Sequence, residues 1–579
     1  MKTKSTCIIA AVLAATLVSA FAAEPVIEFK VNKDAPRTAG MLGPSHDEEM
    51  IYGLGSDGKQ HYFAVGTDVR GQGITIWQSD DLVNWKDVGR VFTQANAPKI
   101  LNVGPRGWSY DFNAVTIDDK GEYGFLTERK PGANNYRLGG GQPFWAPCIY
   151  FNEPDQTYYL YYSCSAYGTR NSFIGCAKSK TLDKGWEDCG ALIHTRTGDG
   201  KKYNAIDPVV IKDVDGKLWM IYGSFFGGIA IVQLDPKDPA KLLHPGTHGK
   251  TIACRGYEKV YEQDGFEGKP TMSVDGQRFT AYGIEGASIV YNPETKYYYL
   301  FVSYDRLALT YHVRVGRSKN VEGPYLDYNG KPLVYDQEKQ GPEDVNGTKL
   351  IGPYRWKSTG AGWVGTGHTT LFYASDNGII PPEDCFRLMF GSNSKDRANG
   401  ASFVGLRRVF WSGDGWPLLS PCLYGGEDLY IGTESESLGK KDNIVTKESI
   451  VNSGDSTQWD FIVFSVTDDT TFRRVDESTV YTLKKDGTIE GGGKWSLDPE
   501  NSIIGYGDFI TEEGRKFAIE VYPNGISMTV ELPGGVKAKG VCAYGWDQDR
   551  KCQTVFFTGL TDKGVAVWGQ RIPPKTENN

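Results

Sequence analysis

At 579 residues the chain is too long for one compact core, so at least two domains are expected. A formal net charge of -8, from 71 acidic and 63 basic side chains, argues against the clustered basic face that nucleic acid or another polyanion requires; a neutral ligand is the expected partner. Aromatic residues at 13%, 71 glycines and recurrent alternating apolar runs, with few long amphipathic patterns, predict an all-β chain of short strands and tight turns.

The first residues, MKTKSTCIIAAVLAATLVSAFAAEP, combine a basic start, an apolar run shorter than a bilayer span and the small-residue site Ala20-Phe21-Ala22. They read as a signal peptide over residues 1–22, which predicts an exported, soluble protein with no membrane anchor; a monomer is expected. Ten cysteines less Cys7 leave an odd nine, and Cys542 and Cys552, which flank AYGWDQDRK, are placed for a cross-hairpin bridge.

Five segments then share one shape, an apolar strand, an acidic or Gly/Asn turn, an aromatic strand and a third strand. They are MIYGLGSDGKQHYFAVGT, CIYFNEPDQTYYLYYSCS, VVIKDVDGKLWMIYGSF, SIVYNPETKYYYLFVSYD and TLFYASDNGIIPPEDCFRLMFGSN, starting at residues 50, 148, 209, 288 and 370. Unequal repeats of this size predict a five-bladed β-propeller over residues 23–429, an irregular β-sandwich being the competing architecture. The first two units also share an outer-strand style, ITIWQSDDLVNWKDVG and IGCAKSKTLDKGWEDCG. The polar stretch SESLGKKDNIVTKESIVNSGDSTQ reads as a boundary or decorated loop. Beyond it, within residues 430–579, successive strands with Gly turns predict a smaller C-terminal β-barrel or sandwich, accessory because no acids recur at its strand ends.

Just upstream of the five repeats stand SHDEEM, FWAPC, NAIDP, GIEGAS and TGHTT. In a propeller the innermost strands line the axis, so their starts meet at one mouth and bring together Asp47, Trp145, Asp207, Glu285 and His368. Each has a plainer reading: Asp207 as a turn cap before Pro208, Asp47 as part of a solvated acidic loop in which Glu48 and Glu49 rival it, Trp145 and Phe225 as core aromatics, and His368 as a buried histidine bonded to backbone. Glu285 is harder to explain away, because a carboxylate in an apolar strand start is costly if unpaired.

In that order, SHDEEM, FWAPC, NAIDPVVIKDVDGKLWMIYGSFFGGI, GIEGAS, GTGHTTLF and GWPLLSPCLYGGED resemble the blade signatures of glycoside hydrolase family 43, most closely its α-1,5-L-arabinanases, over residues 40 to 427. The tail from about residue 430 is similar to the extra barrel domain of two-domain arabinanases. The resemblance implies a secreted inverting hydrolase of arabinan, with Asp47 as general base, Glu285 as general acid and Asp207 raising the pKa of Glu285 and orienting it. It implies sugar contacts for Trp145, Asn171, Ser172, Ser224 and Phe225, and a calcium ion held through His368 largely by water. Two departures stand beside it: Glu48 replaces the proline usual after the aspartate, and Cys148 stands where FWAP is usually followed by an acid. An exo-acting or xylan-directed family activity, or a non-catalytic glycan-binding propeller, are the competing functions.

Overall fold

The computed structural model describes residues 46–573 apart from 69–72, 94, 99–100, 105–106, 110–114, 118–122, 126–143, 166–169, 197–201, 256–271, 275–276, 280–282, 306, 308–309, 335–344, 375–387, 397–401, 427–444, 468–474, 501, 503–504, 511–515 and 522–524. The signal segment 1–22 lies outside the described residues. The regular secondary structure described is almost entirely strand, with one short helix at Lys447–Ile450.

Five antiparallel sheets follow one another in chain order. The first blade comprises Glu49–Leu54, Gln60–Val65, Thr75–Ser79 and Trp85–Arg90, and the second Trp145–Asn152, Thr157–Ser165, Ser172–Ser179 and Glu187–Thr195. The third runs from Val209–Lys212 through Leu218–Tyr222 and Ile229–Asp235 to Asp238–Leu242, with Lys250–Ala253 also paired to its third strand. The fourth comprises Ile284–Asn292, Tyr297–Tyr304, His312–Ser318 and Thr348–Ile351; the fifth comprises Gly362–Tyr373, Leu388–Asp396, Ser402–Trp411 and Pro417–Leu419. The innermost strand of each blade packs against that of the next, and the innermost strand of the fifth returns against that of the first, so the five form a closed ring.

Local chemistry explains why these segments turn where they do. The DVDG turn of the third blade is held by Asp213, whose Oδ1 accepts the amides of Asp215 and Lys217 at 2.9 and 2.8 Å and whose Oδ2 accepts the Trp219 indole N–H at 2.7 Å. Asn292 does the same work in the fourth blade, accepting the amides of Glu294 and Thr295. The outer-strand pattern shared by the first two blades rests on a tryptophan folded back onto its own turn: Trp85 Nε1 donates to Leu82 O and Trp186 Nε1 to Leu182 O, each at 3.2 Å.

Among the described residues the ring closes without a shared strand: the four main strands of each blade come from one consecutive stretch of chain. The seam between the fifth and first blades is an apolar cluster of Met50, Tyr62, Trp77, Phe372, Met389 and Leu406. It is stitched by the Met50 amide, which donates to Thr370 Oγ1 at 3.2 Å.

The C-terminal part forms a closed eight-stranded barrel: Ser456–Val463, Thr479–Lys484, Thr488–Ile489, Gly493–Asp498, Ile526–Leu532, Val536–Asp547, Cys552–Thr561 and Ala566–Arg571. Its interior is filled by Trp459, Phe461, Trp495, Tyr544 and Phe557 among others. The helix, capped by Thr446, adds Ile450 to that core, and its Ile450 carbonyl accepts the Trp459 indole N–H at 3.0 Å. The predicted polar boundary 435–458 therefore holds, where it is described, a helical turn and the start of the first barrel strand.

The expected Cys542–Cys552 bridge does not form. Register sets Cys542 opposite Phe557 and Cys552 opposite Asp547, well apart along the same hairpin, and both are free thiols. Flanking a turn is not enough when the strands are long: only residues directly across the ladder bring their Cβ atoms within disulfide reach.

Barrel and propeller share a core. Tyr299, Phe301, Phe390, Phe410 and Trp411 of the fourth and fifth blades pack in one cluster with Ile462, Phe464, Phe556 and Trp568 of the barrel. Strand Asp476–Glu477, which lies between barrel strands in the chain, pairs in parallel with Tyr354–Arg355 at the edge of the fifth blade. Buried Arg407 caps the carbonyls of Ser420 and Pro421 and the Tyr354 hydroxyl while its guanidinium lies 5.1 Å from the Trp568 ring centroid.

Candidate active site

Where each innermost strand enters the mouth sits a residue with left-handed backbone: Asp47 (φ 54), Ala146 (φ 39), Asp207 (φ 56) and Gly286 (φ 53) at or near the strand start, and His368 (φ 47) midway along Gly362–Tyr373. Four of these are not glycine, which is a costly conformation unless the surroundings fix it. Those surroundings repeat from blade to blade. The amide of Ala146 donates to Thr67 Oγ1 at 2.9 Å, that of Asp207 to Ser163 Oγ at 3.1 Å and that of His368 to Ser303 Oγ at 2.8 Å. Each hydroxyl stands at or just beyond the end of the second strand of the preceding blade. Register breaks at the same place in the second, fourth and fifth blades, so the left-handed residue re-aims the strand start into the mouth.

The carboxylates meet there. Asp47 Oδ1 lies 2.6 Å from His46 Nδ1 and 3.2 Å from His368 Nδ1, while its Oδ2 accepts the Thr67 hydroxyl at 2.7 Å. Burial alone would raise its pKa, but the adjacent imidazoles of His368 and His46, with the hydrogen bonds from His46 and Thr67, hold the carboxyl well below the usual range. Burial likewise opposes charge on His46, yet its pairing with Asp47 pushes the imidazole up to about 9; His368 is held below its ordinary value by burial. Glu285 is pushed the other way, up to about 7, by burial and by the charge of Asp47, against a 2.8 Å hydrogen bond from the Ser224 hydroxyl and one from Tyr311. Asp207 is raised well above the usual range by burial and then by the charges of Glu285 and Asp47, and its Oδ2 accepts the Gly286 amide at 3.1 Å. That amide belongs to the residue after the acid, so Asp207 and Glu285 are tied through the backbone. A side chain at Gly286 would also run into His368, with Nδ1 2.8 Å and Cα 2.9 Å from the added Cβ.

The other residues read from sequence divide into two groups. Ser224 reaches Glu285 directly, and the Phe225 amide donates to Ile284 O at 2.7 Å, pinning the strand that carries the acid. Trp145 stands half-buried at the start of the second blade, opposite Ser163. Asn171 is 7% exposed, whereas Ser172 is fully buried, its hydroxyl 2.8 Å from Ser165 Oγ and donating to Asn204 Oδ1 at 2.6 Å. Sequence reading missed His46, Thr67, Ser163, Ser303 and Tyr311. A signal was present for three of them: AVGT, YYSCS and FVSYD all place a hydroxyl at the end of the second strand.

The donors around His368 do not fit a calcium site built by protein, which wants six to eight oxygens. Among the described residues no group of three or more His, Cys, Asp or Glu is placed to hold a metal ion, and Nδ1 of His368 is turned to Asp47.

Residues 127–417 match the family described as "Glycosyl hydrolases family 43". The chain belongs to glycosyl hydrolase family 43. Family 43 membership makes it a glycoside hydrolase, and the matched stretch contains Asp207, Glu285 and His368, while Asp47 precedes it. Residues 450–569 match a "C-terminal lipocalin-like domain". The family 43 chain is 28% identical over 440 residues, 72% of its length and 77% of the relative's, to the extracellular endo-α-(1→5)-L-arabinanase 2 of Bacillus subtilis (strain 168). It is 30% identical over 357 residues, 60% of its length and 80% of the relative's, to the extracellular exo-α-(1→5)-L-arabinofuranosidase ArbA of Cellvibrio japonicus (strain Ueda107). In fold it resembles the crystal structure of the endo-1,5-α-L-arabinanase of Thermotoga petrophila RKU-1, with a TM-score of 0.62 and 23% identity over 93% of this chain and 100% of that one.

Proposed function

We propose that this glycoside hydrolase is exported and cleaves internal α-1,5-L-arabinofuranosidic bonds of arabinan by single displacement. Asp47 is the general base that takes a proton from the attacking water, Glu285 the general acid that protonates the leaving oxygen, and Asp207 the neighbour that orients Glu285 through the Gly286 amide. One observation carries this reading: at a single mouth, one carboxyl is held ionised by the His46 imidazole at 2.6 Å and the Thr67 hydroxyl at 2.7 Å, while another, Glu285, is raised to about 7. Closely placed acids pushed apart in this way are what an acid and base pair requires near neutral pH. The pairing with His46 and His368 makes Asp47 a weak base in the free enzyme, and an incoming substrate that displaces either imidazole strengthens it. No step is routed through a metal.

The arabinan assignment is supported by the two relatives, both named for α-(1→5)-L-arabinan chemistry and both extracellular. Endo action follows the relative that spans more of the chain; exo action is the second reading, favoured by the ArbA likeness. The test is chromatography of products from linear α-1,5-arabinan, with arabinoxylan for comparison and Asp47→Ala as control. A spread of oligosaccharides that vanishes in Asp47→Ala supports the endo reading. Arabinose or one short oligomer alone establishes exo action, and no release from arabinan overturns the substrate.

A further inference from the structure

Glu49 opens the innermost strand of the first blade, two residues beyond Asp47. Its Oε2 accepts the Thr370 hydroxyl at 2.8 Å, and its Oε1 faces Cys148 Sγ at 3.9 Å. Thr370 in turn accepts the amide of Met50 at 3.2 Å. One carboxyl therefore touches the innermost strands of the fifth, first and second blades, and it does so at the seam where the ring closes without a shared strand.

The thiol across from it belongs to the second blade, so carboxyl and thiol face each other over the interface between the first two blades. Two facing acids at this separation would repel, so the interface accommodates one carboxyl, and a double substitution can move it to the other side. The strand start that Glu49 anchors is the one whose left-handed Asp47 needs its surroundings to hold it.

We propose that Glu49 is a positioning residue for hydrolysis, its carboxyl tying the first blade to the fifth through Thr370 and fixing the strand start that presents Asp47. This rests on the reading of Asp47 as the base. The experiment measures kcat and KM on linear α-1,5-arabinan, with melting temperature and folded fraction, for Glu49→Ala, Glu49→Gln, Glu49→Ser, Cys148→Asp and the Glu49→Ser/Cys148→Asp double variant. Glu49→Ala is expected to lower kcat of the folded enzyme about ten- to a hundredfold with KM changed less than about twofold, since misplacing a catalytic group by about 1 Å costs up to about a hundredfold. Glu49→Gln keeps shape and hydrogen bonding and stays within about threefold of the parent, and the double variant recovers to the same range while both its single components are impaired. Wild-type kcat per folded Glu49→Ala molecule, or a double variant no more active than Glu49→Ser, overturns the proposal. If Asp47→Ala retains activity, the base assignment fails instead; an inactive Asp47→Ala beside a fully active Glu49→Ala removes only the role of Glu49.

Discussion

Ser224 offers the most direct test of the acid. Its hydroxyl donates to Glu285 and so favours the ionised carboxylate; removing it raises the pKa of Glu285. The proposed acid works protonated, so activity on arabinan is expected to be full below and to fall as pH rises through about 7. In Ser224→Ala this alkaline limb moves to higher pH, and a limb that stays put or moves down would detach Glu285 from it. Asp47→Asn is expected to lower kcat by about 10²- to 10⁴-fold, measured by reducing-sugar release, the usual worth of a general base. Gly286→Ala meets both a left-handed φ of 53 and the His368 ring, and its expected outcome is loss of activity with a lowered melting temperature. The three acids were legible because each opens a repeat, and repetition makes position meaningful. His46 and Tyr311 were not legible, since a histidine beside an aspartate or a tyrosine in a loop carries no pattern of its own; only the packed ring turns them toward a carboxylate.

At the level of elements, the strands read from alternation and turn chemistry are in place, because DVDG folds around its own Asp213 side chain, with the Val214 amide then donating to the Tyr298 hydroxyl of the next blade. The barrel's first strand, Ser456–Val463, starts within a segment too polar to announce itself, its leading residues being exposed or half-buried and only its second half buried. The joint between barrel and propeller was equally hidden, since apolar outer faces do not say what covers them. Trp568→Ala is expected to cost about 3–5 kcal/mol, the usual range for emptying a buried tryptophan site. Because its cluster spans both units, calorimetry should show a single transition moved down as a whole; two separate transitions would mean that the shared core does not couple them. The barrel's interior is filled by aromatic rings, and residues of the same barrel pack against the fourth and fifth blades.

For the whole molecule, a formal charge of -8 facing an uncharged polymer removes long-range steering from the encounter. The value of kcat/KM on linear arabinan is expected to change less than about twofold between roughly 0.05 and 0.5 M salt; a steep salt dependence would point to a charged substrate. The closed order of five blades has a further geometric result. A ring with an odd number of members has no opposite pairs, so the line from Asp47 on the first blade to Glu285 on the fourth misses the axis. On its narrow side lies the fifth blade alone, with His368; on its wide side lie the second and third, with Trp145 and Asp207. A polymer cleaved between these two carboxyls crosses the mouth as a chord, and its two flanks meet different blades, so a symmetrical scaffold gives the sugar chain a direction.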